Sequence, residues 1–269
     1  MSTPGDSFGV LLDIDGVLYV GDEPIAGAHE ALARLRAQSA GLRLVTNTTS
    51  RSRRQVAEHL ERLGFDTSIE EVLTPAAMAV RHCEERGHSS VELIVSDGLR
   101  EDLAPLGSAP ASERGGGEPG APVDAVILGD VGDRFDAQLL NHAFRLLMDG
   151  AELIALQHNR YWRRSDGLAL DVGAYAAALE YATRNEAVVV GKPAPEFFAA
   201  ALADMDLEQA VMIGDDVEAD VGGAMAAGLA GVLVRTGKFR QDALPEVTPT
   251  AVADSIADVP ELLARILPS

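Results

Sequence analysis

The chain has 269 residues, enough to bury a sizeable core as one large domain or as a core with a smaller second domain. Hydrophobic residues make up 47% and aromatics only 4%, so the interior has to be built from Ala, Val, Leu and Ile. A formal net charge of -20 repels nucleic acid and anionic membrane surfaces, and it would repel a phosphorylated substrate as well unless cations stand at the site.

From the N-terminus, Val10-Leu11-Leu12 reads as a buried strand that stops at Asp13. Neither a signal-peptide pattern nor a membrane-spanning run is found, so a cytoplasmic protein is expected. Ala28 to Gln38 reads as a helix with Ala31, Leu32 and Leu35 on one face, Leu42 to Val45 as a strand, and Arg53 to Leu63 as a helix closed by Gly64. Thr74-Pro75 has the form of an N-cap followed by Pro at the first helical position. Cys83 is the single cysteine, which rules out an intrachain disulfide and fits a buried structural thiol.

Val91 to Val95 and Val123 to Leu128 read as strands, separated by Gly107 to Pro122, a Gly-, Ala-, Pro-, Ser- and Glu-rich stretch expected to be a mobile surface loop. Ala137 to Met148 and Gly173 to Ala182 are expected helices. Then come strand Val188 to Val190, helix Glu196 to Leu202, strand Val211 to Ile213, helix Ala219 to Ala227 and strand Gly231 to Val234. Strands alternating with helices predict an α/β fold, a doubly wound parallel sheet with helices on both faces.

Three segments share one design, an apolar strand that stops abruptly at polar residues. They are Val10 to Gly16 (ending Asp13-Ile14-Asp15-Gly16), Leu44-Val45-Thr46-Asn47, and Val211 to Asp216 (ending Gly214-Asp215-Asp216). Ligands of open parallel sheets bind beyond the carboxyl ends of the strands. If these strands are neighbours, Asp13, Asp15, Thr46, Asn47, Asp215 and Asp216 meet in one crevice. So many carboxylates need a cation, and hard oxygen ligands suit Mg²⁺. Taken singly, each element also fits a solvated turn, a helix N-cap or a surface lysine at Lys192; the joint occurrence in this order is what points to a site.

These residues resemble the four motifs of the haloacid dehalogenase superfamily: Asp13-Ile14-Asp15-Gly16-Val17-Leu18-Tyr19, Val45-Thr46-Asn47-Thr48-Thr49, Gly191-Lys192-Pro193-Ala194-Pro195-Glu196, and Gly214-Asp215-Asp216-Val217-Glu218-Ala219-Asp220. The long segment between the second and third motifs is similar to the inserted α/β cap of the NagD and 4-nitrophenyl phosphatase branch. Asn159 to Trp162, Asp166 to Leu170, Ala178 to Ala182 and Arg235 to Phe239 extend the resemblance over nearly the whole chain. The resemblance implies a Rossmann-like hydrolase core over 1–78 and 188–269, with a cap over 79–187.

The resemblance also implies roles. Asp13 would be the nucleophile that forms an aspartyl-phosphate, and Asp15 the acid and base. Thr46, Asn47 and Lys192 would bind the phosphoryl oxygens. Asp13, the Asp15 carbonyl and Asp215 would ligate Mg²⁺, with Asp216 and Asp220, four apart, in support. In close members of the branch Ser stands where this chain has Asp15, so a full acid/base pair favours ordinary phosphate monoesters. A small phosphorylated metabolite is the implied substrate, and caps of this kind often pair in homodimers. A mutase, a dehalogenase or a non-catalytic phosphate-binding protein on the same fold are the alternatives; a dehalogenase needs neither Mg²⁺ nor the Asp15 acid, and a non-catalytic chain would be expected to lose part of the set. In the cap, Arg160, Tyr161 and Trp162, with Arg163 and Arg164, are either a positive field at the crevice mouth that sets specificity or a turn with solvated arginines and a packed Trp. Asp130 and Asp133 are expected in turns, with cap-loop substrate contacts as the alternative.

Overall fold

The computed structural model describes residues 8–107, 122–164, 167–205, 207, 209–239 and 247–266. The described residues divide into two compact units, one drawn from Met1–Thr46, Arg54–Leu73 and Lys192–Ser269, the other from Asn47–Arg53 and Thr74–Gly191.

The first unit is built on a six-stranded sheet in the order Ala251–Ala253, Ala230–Val234, Gln209–Gly214, Phe8–Asp13, Gly41–Val45, Val72–Leu73, parallel at every pairing. Phe8–Asp13 and Gln209–Gly214 are covered on both sides and read as continuous apolar runs for that reason. Val10 and Leu12, with Leu44, Val211, Ile213, Val232 and Val234, point to one face and meet helices Ala28–Gln38, Arg53–Arg62 and Val259–Ile266. On the other face Leu233 packs against Val217 and Val221, and Gly9 lies beside Leu202 at the end of helix Pro195–Leu202. This is the doubly wound arrangement. Val10, Leu11, Leu12, Met212 and Ile213 are wholly buried, and each such side chain contributes about 1.5–3 kcal/mol relative to exposure.

The chain leaves the central strand Phe8–Asp13 toward Gly41–Val45 on one side and returns by Gln209–Gly214 on the other, so the strand order reverses between these two neighbours. The register aligns their ends. Leu12 pairs with Ile213 and Asp13 with Val45, which brings Asp13, Thr46 and Asp215 out at the same edge, at the switch point where such sheets bind ligands.

The expected helix Ala219 to Ala227 takes a different form. Val217–Gly222 is a π-helix, followed by a short α-helix, Gly223–Ala226. The wider turn places the Asp220 carboxylate in the space that a side chain on Gly214 would fill, so Gly214 is glycine to admit it. Strand Ala251–Ala253 and helix Val259–Ile266, past the last strand expected from the pattern, complete the unit.

The second unit has a four-stranded parallel sheet, Val188–Val189, Glu152–Ala155, Ala125–Leu128, Val91–Ile94. Helix Pro75–Arg86 starts as its sequence indicates, with Thr74 as N-cap accepting from the Ala77 amide and Pro75 in the first turn. Helices Ala137–Met148 and Val172–Thr183 pack on Val126, Leu128 and Leu153, with Phe135 stacked on Tyr175 at 3.7 Å between ring centroids. Val188–Val189 pairs with Glu152–Ala155 and helix Pro75–Arg86 belongs wholly to this unit, whereas the expected division at 78/79 would cut that helix and assign 188–189 to the core. Tyr161–Arg164 and Gly167–Leu170 form an antiparallel hairpin. Residues 108–121 of the expected surface loop lie outside the described residues. Among the described residues no helix is long and apolar enough to cross a membrane.

Candidate active site

Asp13 is the last residue of the central strand and is 6% exposed. Lys192 comes in on the chain re-entering the first unit and is 3% exposed. Its ammonium donates to Asp13 Oδ1 at 2.5 Å and pairs with Asp220 Oδ1 at 2.6 Å. Asp13, Asp215 and Asp220 are all buried, and one carboxylate oxygen from each lies within 4.8 Å of the others. Two of these three buried carboxylates, Asp13 and Asp220, thus share one buried ammonium, and Asp215 stands beside them.

The electrostatics follow from that count. Burial, then repulsion from Asp220, pushes the Asp13 carboxyl well above the usual carboxylate range, although Lys192 acts in the opposite sense. Asp215 is pushed up to about 7 by burial and by the charge of Asp220. Burial acts to lower the Lys192 ammonium, but Asp13 and Asp220 outweigh it and hold Lys192 above its ordinary range.

Asp215 is held in a backbone cradle. Its Oδ2 accepts from the Lys238 amide at 2.5 Å, while its Oδ1 is buried without a hydrogen-bond partner. Gly16 (φ 85°) and Gly237 (φ 58°) flank that carboxylate so closely that a side chain on either would overlap Asp215 Oδ2. The two loops are tied together by the Thr236 hydroxyl, which donates to the Gly16 carbonyl at 2.5 Å. Gly237→Ala is therefore expected to displace Asp215 and to cost about 1–3 kcal/mol of stability, measurable by urea denaturation.

The neighbouring acids do different things. Asp216 Oδ1 accepts from the Glu218 and Ala219 amides, both at 3.0 Å, and so caps the π-helix. The Asp216 amide donates to Asp220 Oδ2 at 3.1 Å. Asp216 caps while Asp220 turns inward to Lys192, so the two do not act as one pair of equivalent groups. Asp15 is exposed, in the turn after Asp13, and bridges to Tyr19. Thr46 is buried, and its amide donates to the Leu73 carbonyl at 3.2 Å. Asn47, next in the chain, groups with the second unit.

Lys238 was visible in sequence only as part of the segment Arg235 to Phe239. Desolvation acts to lower its ammonium, but the fields of Asp13, Asp215, Asp216 and Asp220 prevail and hold it above its ordinary range, although the residue lies at the surface. The signal that could have found it is the rule that located the others: Lys238 follows the end of strand Ala230–Val234. In the second unit, Arg160, Tyr161 and Trp162 are exposed, with Arg160 6.0 Å from the Tyr161 ring centroid, and Asp130 Oδ1 accepts from the Gly132 amide at 2.7 Å in a turn.

Comparison with known proteins agrees with this architecture. Residues 10–109 match the family model described as haloacid dehalogenase-like hydrolase, and residues 189–259 match a second, HAD hydrolase-like model. The chain is 45% identical over 242 residues to haloacid dehalogenase-like hydrolase domain-containing protein 2 of Rattus norvegicus, covering 89% of this chain and 88% of that one. It is 42% identical over 267 residues to phospholysine phosphohistidine inorganic pyrophosphate phosphatase of Homo sapiens, covering 96% and 94%. The solved glycerol phosphate phosphatase of Mycobacterium tuberculosis, in complex with magnesium, superposes with a TM-score of 0.79 at 29% identity, covering 97% of this chain and 76% of that one. The p-nitrophenyl phosphatase of Archaeoglobus fulgidus superposes with a TM-score of 0.84 at 27% identity, covering 96% of this chain and 100% of that one. With its parallel core, its inserted α/β unit and these relatives along nearly its whole length, the chain belongs to the haloacid dehalogenase-like hydrolases.

Proposed function

We propose that the chain is a Mg²⁺-dependent phosphatase of small phosphorylated metabolites that works through an aspartyl-phosphate on Asp13. The observation that carries this reading is the buried Asp13, Asp215 and Asp220 cluster, with Lys192 paired to Asp13 and Asp220, at the switch point of the sheet. Two of the relatives named above are phosphatases by their descriptions, which supports the same reading.

The donor set fits the ion. Both oxygens of Asp220 are engaged, Oδ1 by Lys192 and Oδ2 by the Asp216 amide, which suits a supporting role. Asp215 Oδ1 is buried without a partner, as a ligand oxygen would be. Asp13, Asp215 and the Asp15 carbonyl would hold Mg²⁺, with Asp216 and Asp220 behind them. When bound, the ion supplies positive charge that relieves the buried carboxylates and polarises the phosphoryl group.

Lys192 fixes Oδ1 of Asp13, which leaves Oδ2 to attack phosphorus in line. As the Asp13–phosphorus bond forms, the bond to the leaving oxygen breaks, and Asp15 protonates that oxygen. Asp15 is exposed and so exchanges protons with solvent. It then takes a proton from the water that displaces Asp13 from phosphorus. The Thr46 hydroxyl and the Asn47 amide supply donors to the phosphoryl oxygens, and Lys192 offsets their charge. Alkoxide leaving groups need a proton most, so Asp15 directs the reading toward monoesters.

Turnover of 4-nitrophenyl phosphate is expected to vanish when a strong chelator is added and to return with excess Mg²⁺. Activity indifferent to the chelator would remove the metal from the proposal.

A further inference from the structure

The second unit carries a ligand set that the phosphatase reading does not use. His82 lies in the last turns of helix Pro75–Arg86. Gly87 then turns the chain in the left-handed conformation (φ 73°), with the His88 amide donating to the Cys83 carbonyl at 2.9 Å. That reversal brings both imidazoles to one point. His82 Nε2 is 2.9 Å and His88 Nε2 2.8 Å from the same oxygen, Oε2 of Glu152, the first residue of strand Glu152–Ala155. The three donor atoms lie within 4.8 Å of one another, and the three side chains are half-buried, at 22%, 15% and 21% exposure.

We propose that His82, His88 and Glu152 form a binding site for one Zn²⁺ ion, separate from the carboxylate cluster of the first unit. Two imidazoles and a carboxylate are a zinc ligand set with a fourth position left for water, and imidazole favours Zn²⁺ over Mg²⁺. Bonds of about 2.0–2.2 Å in a tetrahedron place neighbouring donors about 3.3 Å apart. The imidazoles therefore need to draw back from Glu152 Oε2 by roughly half an ångström, within the freedom of half-buried side chains. Arg86 stands 3.3 Å from the other oxygen, Oε1, and so orients the carboxylate while leaving Oε2 to the ion. Cys83, in the same turn, is fully buried, and burial pushes its thiol up to about 11, so it stays outside the set. The ion would fasten the end of helix Pro75–Arg86, through His82 and the following His88, to a strand that begins 64 residues after His88.

The test is calorimetric titration of the untagged full-length chain with Zn²⁺ in excess Mg²⁺, with metal analysis after dialysis. One equivalent of Zn²⁺ is expected, with a rise in melting temperature from linkage. His82→Ala, His88→Ala and Glu152→Gln should each weaken binding by more than about tenfold, beyond the loss from removing a supporting residue alone. Turnover of 4-nitrophenyl phosphate in Mg²⁺ should be unchanged in all three, and Asp215→Asn should keep the Zn²⁺ equivalent. No uptake by the unmodified chain, uptake that persists in the three variants, or uptake lost only in Asp215→Asn would each overturn the site. Glu152→Gln keeps an acceptor for both rings, so it decides the question if a histidine variant does not fold.

Discussion

Replacing Asp13 with Asn is expected to reduce turnover of 4-nitrophenyl phosphate by at least about 10⁴-fold, the scale of removing a covalent nucleophile. Asn has the same shape but no anionic oxygen to attack phosphorus. The fold should survive, because the amide oxygen still accepts from Lys192 and Lys192 keeps its second partner, Asp220, at 2.6 Å. Stability should even rise in metal-free buffer, since burial and Asp220 already oppose the Asp13 charge. Steady-state kinetics beside a urea melt separate the two effects. Substantial residual turnover in a folded variant would exclude Asp13 as the nucleophile.

Lys192→Met should be the most destabilising single change in the site. The side chain is 3% exposed and is the ammonium shown in contact with both Asp13 and Asp220. Removing it leaves buried carboxylates facing one another, and breaking a buried pair in this way costs about 3–5 kcal/mol. The methionine matches the stem in length, so packing loss adds little. Two controls identify the cause: Asp220→Asn in the Lys192→Met background should recover part of the loss, and so should Mg²⁺, which supplies charge to the same cluster. Urea denaturation in metal-free buffer makes the measurement. A loss under about 1 kcal/mol, as for an exposed pair, would show that the lysine is not the cluster's counter-charge.

Much of the core could be read without coordinates. Helices Ala28–Gln38 and Ala137–Met148 fall where the sequence reading places them, and the first buries the regular face of Ala31, Leu32 and Leu35. Short elements were less legible. Strand Val72–Leu73 and the hairpin Tyr161–Arg164 with Gly167–Leu170 carry too few residues for a period to show. The π-helix at Val217–Gly222 was not legible at all, since an α-helical spacing fits the same Gly- and Ala-rich letters. What decides it is the packing of the Asp220 carboxylate against Gly214.

The candidate site divides in the same way. The residue types, their order, and their position after apolar strands are properties of the sequence by itself. They were enough to group Asp13, Asp15, Thr46, Asn47, Asp215 and Asp216, because three apolar strands each stop abruptly at polar residues, while Lys192 and Asp220 entered through the resemblance to the family's motifs. Tertiary structure alone decided which acids share a point in space. Strand register pairs Leu12 with Ile213, so that Asp13 and Asp215 leave their strands at the same edge, and the π turn carries Asp220 in to Lys192 while Asp216 stays behind as a cap. It also decided that His82, His88 and Glu152 meet, since 64 residues separate the second histidine from the glutamate and only the folded sheet closes that distance.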